Sequence, residues 1–307
     1  MDILLIIVGV VLVLWGADRL TDGATAIAQR LNVPQIVIGL TVVAMGTSMP
    51  EFFVSLVSAL KGTTGMAVGN VVGSNVFNTM LIVGVAAIVA PMAISVNTVK
   101  KDIPCAVLSS LVLVLMSLDG EISRIDAAVL FIGFLLFMGY TLRLAKGNNG
   151  EEDVIVPMKP LKAAFFVLLG LACLVLGSQL FVDSASKLAR EMGVSDAVIG
   201  LTIVAGGTSL PELATSVVAA MKGRSSIAIG NVIGSNVFNV LMILGITGVI
   251  CPMDLQGITR VDLGIFLGGI MLLWMFAFTK YTVARWEGLV MTLAFAGYMG
   301  WLVNGVI

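Results

Sequence analysis

Histidine is absent from the 307 residues of this chain, and only 11% of the residues are charged. The absence of histidine removes the commonest proton carrier near neutral pH, although carboxylates can still carry protons. The 17 Lys and Arg nearly balance the 18 Asp and Glu, and no basic tail or arm is present, which argues against a nucleic-acid partner. Hydrophobic residues make up 59% of the chain, a composition typical of membrane proteins.

Cysteine is also scarce. Cys105, Cys173 and Cys251 are far apart, in or beside apolar segments. Zinc sites and disulfide frameworks show close or paired spacings, so we interpret these three residues as packing residues. The first apolar run, from Ile3 to Leu14, has no basic residue before it and no small-residue cleavage site after it, which predicts a transmembrane helix rather than a signal peptide.

Apolar segments of membrane-spanning length recur throughout the chain. Each one is long enough to cross roughly 30 Å of hydrocarbon. The only sizeable polar break is 145–160, rich in Gly, Asn, Glu and Pro, which predicts a loop between five helices and five more. The predicted fold class is therefore an all-α integral membrane protein with ten transmembrane helices. The segments are 3–20, 34–60, 66–90, 103–118, 125–144, 162–182, 196–221, 226–250, 261–279 and 286–306.

An odd number of spans in each half makes the second half begin on the opposite face of the membrane, so the two halves are predicted to be inverted repeats. The predicted units are 1–144 as the first five-helix repeat, 145–161 as the central loop and 162–307 as the second repeat. Twelve of the 17 Lys and Arg fall on the side of the central loop. The positive-inside rule then predicts a multi-pass cell-membrane protein with a cytoplasmic central loop and extracellular termini.

Two short motifs occur twice, at a constant offset of 161 residues. GTSMPE at 46–51 and GNVVGSNVFN at 69–78 recur as GTSLPE and GNVIGSNVFN, and about half of the positions from 16 to 78 are identical in the second copy. Each copy carries one carboxylate, Glu51 or Glu212. A carboxylate near the bilayer midplane is costly unless it is paired, protonated or facing water, so a bound cation is the plainest explanation for both.

Hydroxyl groups accompany each of these glutamates. Thr47 and Ser48 lie four and three residues before Glu51, which places their oxygens on the same helix face as the carboxylate. The second copy repeats the pattern at Thr208 and Ser209. Together these residues predict a cluster of hard oxygen ligands in each repeat.

Proline interrupts both glutamate-bearing helices. Pro50 and Pro211 have no backbone N–H, so each leaves a carbonyl of the preceding turn unpaired and bends its helix. The carbonyls of Ala44 and Ala205 are further candidates to open. Irregular backbone is tolerated at membrane depth where it lines a cavity or is buried in protein, and oxygen-rich sites suit Na⁺, Ca²⁺ and Mg²⁺.

The second motif adds polar side chains from a neighbouring helix. Ser74 and Asn78 are four residues apart on one face, and Ser235 and Asn239 repeat them. Inverted folding would bring both copies together at the midplane. The resulting pocket would hold two formal negative charges, which match one Ca²⁺.

Other polar and small residues favour structural roles. The GxxxG glycines of the second motif, taken alone, are typical of helix packing. Thr41 and Thr202 are expected to bond a carbonyl of their own helix. Four aspartates near helix ends are interpreted as interfacial residues, caps or partners for nearby Arg. They are Asp18, Asp22, Asp119 and Asp183.

With these doubled motifs, the chain resembles the calcium/cation antiporter superfamily, and in particular its prokaryotic sodium/calcium exchangers. The resemblance covers the whole chain. It implies exchange of Na⁺ for Ca²⁺ by alternating access, with the second, third, seventh and eighth spans surrounding four adjacent cation sites while the first and sixth spans slide across them. It implies no cofactor, no enzymatic activity and no obligatory protein partner besides the lipid bilayer.

The resemblance also implies a ligand set. Asn78 and Asn239 would complete the central position, where some relatives carry Asp in place of Asn239, and this difference argues against K⁺ co-transport. Gly206 replaces a larger apolar residue of relatives and is expected to loosen the second broken helix. The Ca²⁺ ligands would be Glu51, Glu212, Thr47 and Thr208, and the Na⁺ ligands the same glutamates with Ser48, Ser209, Ser74, Ser235 and the carbonyls of Ala44 and Ala205.

Three other functions are open to the same residues. A proton-coupled or differently selective cation antiporter would use the same scaffold. A cation channel could also hold intramembrane carboxylates, but channels usually complete their ion path with several subunits, whereas here the repeat completes the site within one chain. A membrane protease would use paired aspartates, which neither motif contains.

Overall fold

The computed structural model describes residues 2–145, 158–193, 199 and 203–306, and almost all of these are helical. The helices are α1 (Asp2–Leu31), α2 (Gln35–Thr47), α3 (Met49–Leu60), α4 (Thr64–Val89), α5 (Thr98–Asp119), α6 (Arg124–Ala145), α7 (Pro160–Glu191), α8 (Ala205–Thr208), α9 (Leu210–Met221), α10 (Ser225–Ile250), α11 (Arg260–Lys280) and α12 (Arg285–Val306). Four two-residue strands join them: β1 (Met92–Ala93), β2 (Glu121–Ile122), β3 (Met253–Asp254) and β4 (Thr282–Val283).

The prediction of an all-helical membrane protein is confirmed. Seven described helices are long and apolar enough to cross a bilayer, and the bent pair α2 and α3 makes an eighth span. They match eight of the ten predicted segments. Of the other two, 286–306 corresponds to the 22-residue α12, and 196–221 lies partly outside the described residues and ends in the shorter apolar helix α9. The count of ten spans therefore stays a prediction.

The two longest helices, α1 and α7, pack closely against each other. Gly9 faces Gly177 and Gly16 faces Gly170, and a Cβ added at any of the four would lie 2.7 or 2.8 Å from a carbonyl oxygen of the other helix. Only glycine allows such an approach of two backbones. The pair is joined again at one end, where the Lys187 ammonium lies 3.1 Å from the Asp2 carboxylate.

The predicted proline bend is present between α2 and α3. These two helices meet at 46°, with Ser48 at the break and Pro50 in the first turn of α3. Proline fits a first turn because the backbone N–H there has no partner within the helix. The second copy has the same arrangement, with Ser209 before α9 and Pro211 in its first turn.

Helices α4 and α10 form the centre of the fold. In their most apolar stretches 72% and 83% of the residues are buried, more than in the other spanning helices of the described chain. Each contains one π-helical turn, at Phe77–Ile82 and Phe238–Ile243. These wide turns begin one residue before Asn78 and Asn239, and π turns of this kind are frequent at functional sites.

The short strands join the two halves of the chain at both ends of the fold. Strand β1 pairs with β4 and β2 pairs with β3, each antiparallel. Helix α5 runs from β1 to β2, whereas α11 runs from β3 to β4. Because β1 and β4 lie together, and β2 and β3 lie together, the two helices run in opposite directions.

The charged residues near helix ends form ion pairs, as the sequence predicted for Asp18 and Asp22. Asp22 accepts from the Arg224 guanidinium at 2.8 Å and from the Lys222 ammonium at 2.9 Å. Asp18 pairs with Lys222 and with Arg19. These contacts tie α1 to the turn between α9 and α10. The three cysteines are unpaired, in agreement with a packing role.

Candidate cation site

The two helix breaks place both glutamates in the interior. Glu51 lies in the first turn of α3 and Glu212 in the first turn of α9, and each is 1% exposed. The first turn of a helix favours a negative charge, because the backbone N–H groups and the helix dipole point toward it. Among the described residues no three Asp, Glu, Cys or His side chains form a cluster, so the site offers two carboxylates and otherwise neutral oxygens.

The two repeats cross at these carboxylates. The Ser48 hydroxyl donates to Oε1 of Glu212 at 2.8 Å, and the Ser209 hydroxyl donates to Oε1 of Glu51 at 3.0 Å. Each glutamate is therefore held by the serine of the other repeat. The structure thus brings the two predicted halves of the site together.

Several buried polar atoms around these pairs have no hydrogen-bond partner. They include Oε2 of Glu51 and of Glu212, Oγ of Ser235, Oδ1 of Asn239, and both polar side-chain atoms of Asn78. A buried polar atom without a partner costs about 1–3 kcal/mol, and a charged one costs more. A hard cation, which binds several carboxylate, hydroxyl and amide oxygens at once, is the kind of ligand that satisfies such a set.

The threonines lie beside the carboxylates. Thr47 is close to Glu212 and Thr208 is close to Glu51. The Thr47 hydroxyl also lies 3.1 Å from Oδ1 of Asn231 and 3.1 Å from the Val43 carbonyl. A hydroxyl has one proton to donate and two lone pairs, so Thr47 can donate to one of these oxygens and still offer a lone pair to an ion.

The remaining predicted ligands occupy different positions. The Ala44 carbonyl accepts the Ser48 N–H at 3.0 Å and lies 3.3 Å from the Thr47 hydroxyl, so it keeps its helical bond. The Gly207 carbonyl, which Pro211 leaves without a helical partner, accepts from the Ser178 hydroxyl instead. Ala205 begins α8. The Thr41 hydroxyl bonds the Val37 carbonyl of its own helix, as predicted, and Thr202 lies outside the described residues.

Two asparagines that the sequence interpretation did not single out support the glutamate turns. The Asn70 amide donates to the Glu51 carbonyl at 3.1 Å and to the Ser55 hydroxyl at 2.9 Å. Asn231 makes the equivalent bonds to the Glu212 carbonyl and to Ser216. Both asparagines are the second residue of the doubled ten-residue motif, and their exact repetition at an offset of 161 was the available signal.

A second asparagine pair joins α4 to α10. Asn75 accepts from the Asn239 amide at 2.9 Å and donates to the Asn236 carbonyl at 3.0 Å. Asn236 donates to the Thr79 hydroxyl at 2.7 Å. Asn75 and Asn236 also belong to the doubled motif, so they too could have been found by repetition. They hold the two central helices in register beside the site.

Among the described residues, a cavity adjoins the site on the side of α4. A cavity of about 460 Å³ reaches Ser74 and Asn70 on α4 and is bounded by Gly206, Phe77 and Tyr298 among others. A Cβ at Gly206 would lie 3.5 Å from the Phe77 ring, which is an ordinary van der Waals distance, so a larger residue could be accommodated there. This glycine contributes open space to the cavity wall, whereas the predicted loosening of its helix is untested.

The equivalent face of α10 is closed. No described residue comes within 4 Å of a Cβ added at Gly69 or Gly73 of α4, and much of the repeat equivalent of α2 lies outside the described residues. The repeat equivalents Gly230 and Gly234 lie against the backbone of α2. The predicted packing role therefore holds for the second pair. Among the described residues, the first copy of the motif lines a cavity and the second copy packs against α2.

Comparison with known proteins identifies the family. A family model described as sodium/calcium exchanger protein matches residues 1–143 and 162–304. The chain belongs to this family. Its members are exchangers, which are transporters and not enzymes, and the chain is a multi-pass membrane protein.

Individual relatives extend over nearly the whole chain. The chain is 38% identical to CaxA of Alkalimonas amylolytica over 95% of this chain and 96% of that protein. It is 31% identical to the sodium/calcium exchanger MaX1 of Methanosarcina acetivorans over 97% of each. The solved structure of the sodium-calcium exchanger NCX_Mj, soaked with 2.5 mM Na⁺ and 0.1 mM Ca²⁺, superposes with a TM-score of 0.87 at 30% identity and covers 97% of each chain.

Proposed function

We propose that the chain is an antiporter that exchanges Na⁺ for Ca²⁺ across the cell membrane by alternating access. The observation that carries this proposal is the reciprocal pairing of Ser48 with Glu212 and of Ser209 with Glu51, which leaves one oxygen of each carboxylate without a partner. The family, and the Na⁺ and Ca²⁺ used with the NCX_Mj structure, support the choice of ions.

The proposed architecture has ten spans in two inverted repeats. Its units are 1–144, the central loop 145–161 and 162–307. The opposite directions of α5 and α11 support the inversion, since these helices occupy equivalent places in the two halves. The distribution of Lys and Arg supports a cytoplasmic central loop and extracellular termini.

The proposed ligands follow from the oxygens gathered between the repeats. Ca²⁺ binds between Glu51 and Glu212 with the Thr47 and Thr208 hydroxyls, and Asn78 and Asn239 complete the centre. Two carboxylates balance the charge of one Ca²⁺. The Na⁺ positions use the same glutamates with Ser48, Ser209, Ser74, Ser235 and the carbonyls of Ala44 and Ala205.

Competition for the two glutamates couples the ions. A pocket loaded with either cargo is neutralised, whereas an empty pocket would carry two uncompensated buried charges through the conformational change. Moving an empty site is therefore disfavoured, which opposes leak. If more than two Na⁺ exchange for one Ca²⁺, transport moves net charge and responds to membrane voltage.

The first prediction concerns the glutamates. Proteoliposomes loaded with Na⁺ are expected to take up ⁴⁵Ca²⁺ when external Na⁺ is removed. Glu51→Gln and Glu212→Gln should each abolish this uptake, because each removes one of the two charges that balance Ca²⁺. Glu121→Gln, which alters an exposed glutamate of β2, is the matched control and should leave uptake unchanged.

Three results would contradict the proposal. Normal uptake in both site variants would remove the site assignment. Uptake that needs a pH gradient and not Na⁺ would identify a proton-coupled antiporter on the same scaffold. Discrete single-channel currents in planar bilayers would instead indicate a channel.

A further inference from the structure

The asparagine network breaks the symmetry of the two repeats. Asn75 and Asn236 are equivalent positions, and so are Asn78 and Asn239, each pair being 161 residues apart. Asn239 is held, because its amide donates to Oδ1 of Asn75. Asn78 is not held, and neither polar atom of its side chain has a partner. The two central asparagines of the site thus differ in their hydrogen bonds, although both end the same repeated motif.

The missing bond can be named atom by atom. Asn75 donates to the Asn236 carbonyl and accepts from the Asn239 amide. The mirror arrangement would have Asn236 donate to the Asn75 carbonyl and accept from the Asn78 amide. Both atoms that this second bond would join, Oδ1 of Asn236 and Nδ2 of Asn78, are buried and unpartnered.

Thr79 explains why the mirror bond is absent. Its hydroxyl accepts a hydrogen bond from Nδ2 of Asn236 at 2.7 Å, and this bond keeps the Asn236 amide from donating to the Asn75 carbonyl. The repeat equivalent of Thr79 is Val240, a fully buried apolar side chain that cannot compete for Asn75. Because a hydroxyl both donates and accepts, Thr79 pairs with Asn236 whichever way the amide is oriented.

We propose that Thr79 determines the cation affinity of the site by holding Asn236 away from Asn78. Asn239 then presents a fixed oxygen to the ion, while Asn78 must be ordered each time an ion binds. Thr79 is a positioning residue, since it acts through Asn236 and Asn78 and is not itself a proposed ligand. This inference rests on the proposed cation site and adds to it a difference between its two halves.

The expected direction of the change in ion affinity follows from preorganisation of the ligands. Fixing a ligand before binding removes the cost of ordering it, so a held Asn78 should tighten ion binding. Thr79→Val releases Asn236 to make the mirror bond and holds Asn78. Val240→Thr does the reverse, because the new hydroxyl can draw Asn75 away from Asn239. In Thr79→Val both Asn78 and Asn239 would be hydrogen-bonded before an ion binds, and in Val240→Thr neither would be.

The experiment measures Ca²⁺ binding to the purified full-length protein by isothermal titration calorimetry in Na⁺-free buffer, together with the Ca²⁺ concentration for half-maximal exchange in proteoliposomes. Relative to the original chain, Thr79→Val should bind Ca²⁺ about three- to tenfold more tightly and Val240→Thr about three- to tenfold more weakly, the worth of roughly one hydrogen bond. Thr79→Ser keeps the hydroxyl and should match the unmodified protein.

The opposite signs of the two variants separate positioning from damage. If the substitutions only disturbed side-chain packing, both variants would bind Ca²⁺ more weakly. That result, or unchanged Ca²⁺ binding in both variants, would overturn the proposal. If Thr79→Val does not fold, unchanged binding in Val240→Thr overturns it alone. Failure of the unmodified protein to exchange Na⁺ for Ca²⁺ would instead count against the proposed function.

Discussion

Each glutamate of the site depends on a serine from the other half of the chain. Ser48→Ala removes the hydroxyl that donates to Glu212. Because hydrogen bonds to charged groups are worth about 1.5–3 kcal/mol, we expect the Ca²⁺ concentration for half-maximal exchange to rise about tenfold or more. The measurement is ⁴⁵Ca²⁺ uptake as a function of Ca²⁺ concentration.

Ser58 provides the matched control for this prediction. It is a buried serine further along the same helix, α3, and it lies away from the break. Ser58→Ala should leave the half-maximal concentration unchanged. Equal effects of the two alanine substitutions would show that the role of Ser48 is packing rather than support of Glu212.

Single residues of the site differ in how far the sequence revealed them. A carboxylate in an apolar segment is informative by itself, so Glu51 and Glu212 could be assigned from their surroundings alone. The repetition of their motif could have pointed to Asn70 and Asn75 but not to their roles, because an asparagine in a helix gives no sign of which neighbour its amide will reach. The effect of Thr79 depends on a contact with Asn236, 157 residues away, which only the folded chain defines.

At the scale of helices, the contact between α1 and α7 depends on glycine. A Cβ at Gly16 would lie 2.8 Å from the Gly170 carbonyl oxygen and 2.9 Å from Cβ of Cys173. Gly16→Leu should therefore separate the two helices and destabilise the protein by about 1–3 kcal/mol or more, the usual effect of overpacking. A thermal melt of the purified protein in detergent checks this expectation.

Gly268 is the control position for that melt. It lies in α11, and an added Cβ there would meet nothing within 4 Å. Gly268→Leu should change the melting temperature little. A similar fall in both variants would indicate a general effect of leucine on helix stability rather than loss of the α1 and α7 contact.

The helices were easier to predict than their interruptions. Long apolar runs locate spans such as α1 and α7 because the bilayer requires about 20 apolar residues to cross it. Proline marked the breaks before α3 and α9. The π turns in α4 and α10 left no such mark, because one extra residue in a turn hardly alters an apolar pattern. The two-residue strands were equally hidden.

At the scale of the whole molecule, ion pairs join α1 in the first half of the chain to the turn between α9 and α10 in the second half. Asp22 bonds Lys222 and Arg224, and Arg224 is 7% exposed. Asp22→Asn would leave this guanidinium without its carboxylate, and we expect a loss of about 2 kcal/mol in stability, between the values for surface and buried pairs. The melting temperature at low and high salt measures it.

The repeat equivalent provides the comparison. Asp183 corresponds to Asp22 and is exposed, with no ion pair in the described part of the chain. Asp183→Asn should leave the melting temperature unchanged at either salt concentration. Equal losses in both variants would mean that the contribution of Asp22 does not come from its contacts with Lys222 and Arg224.

The two-stranded ribbons have a mechanical consequence. One ribbon, β1 with β4, fastens the halves at one end of the molecule, and the other, β2 with β3, fastens them at the opposite end. Because the two halves are hydrogen-bonded to each other at both ends, they are expected to resist a hinge motion relative to each other. Helices α1 and α7 are not attached to either ribbon. We therefore expect alternating access to come from movement of this glycine-lined pair relative to the helices that the ribbons hold together.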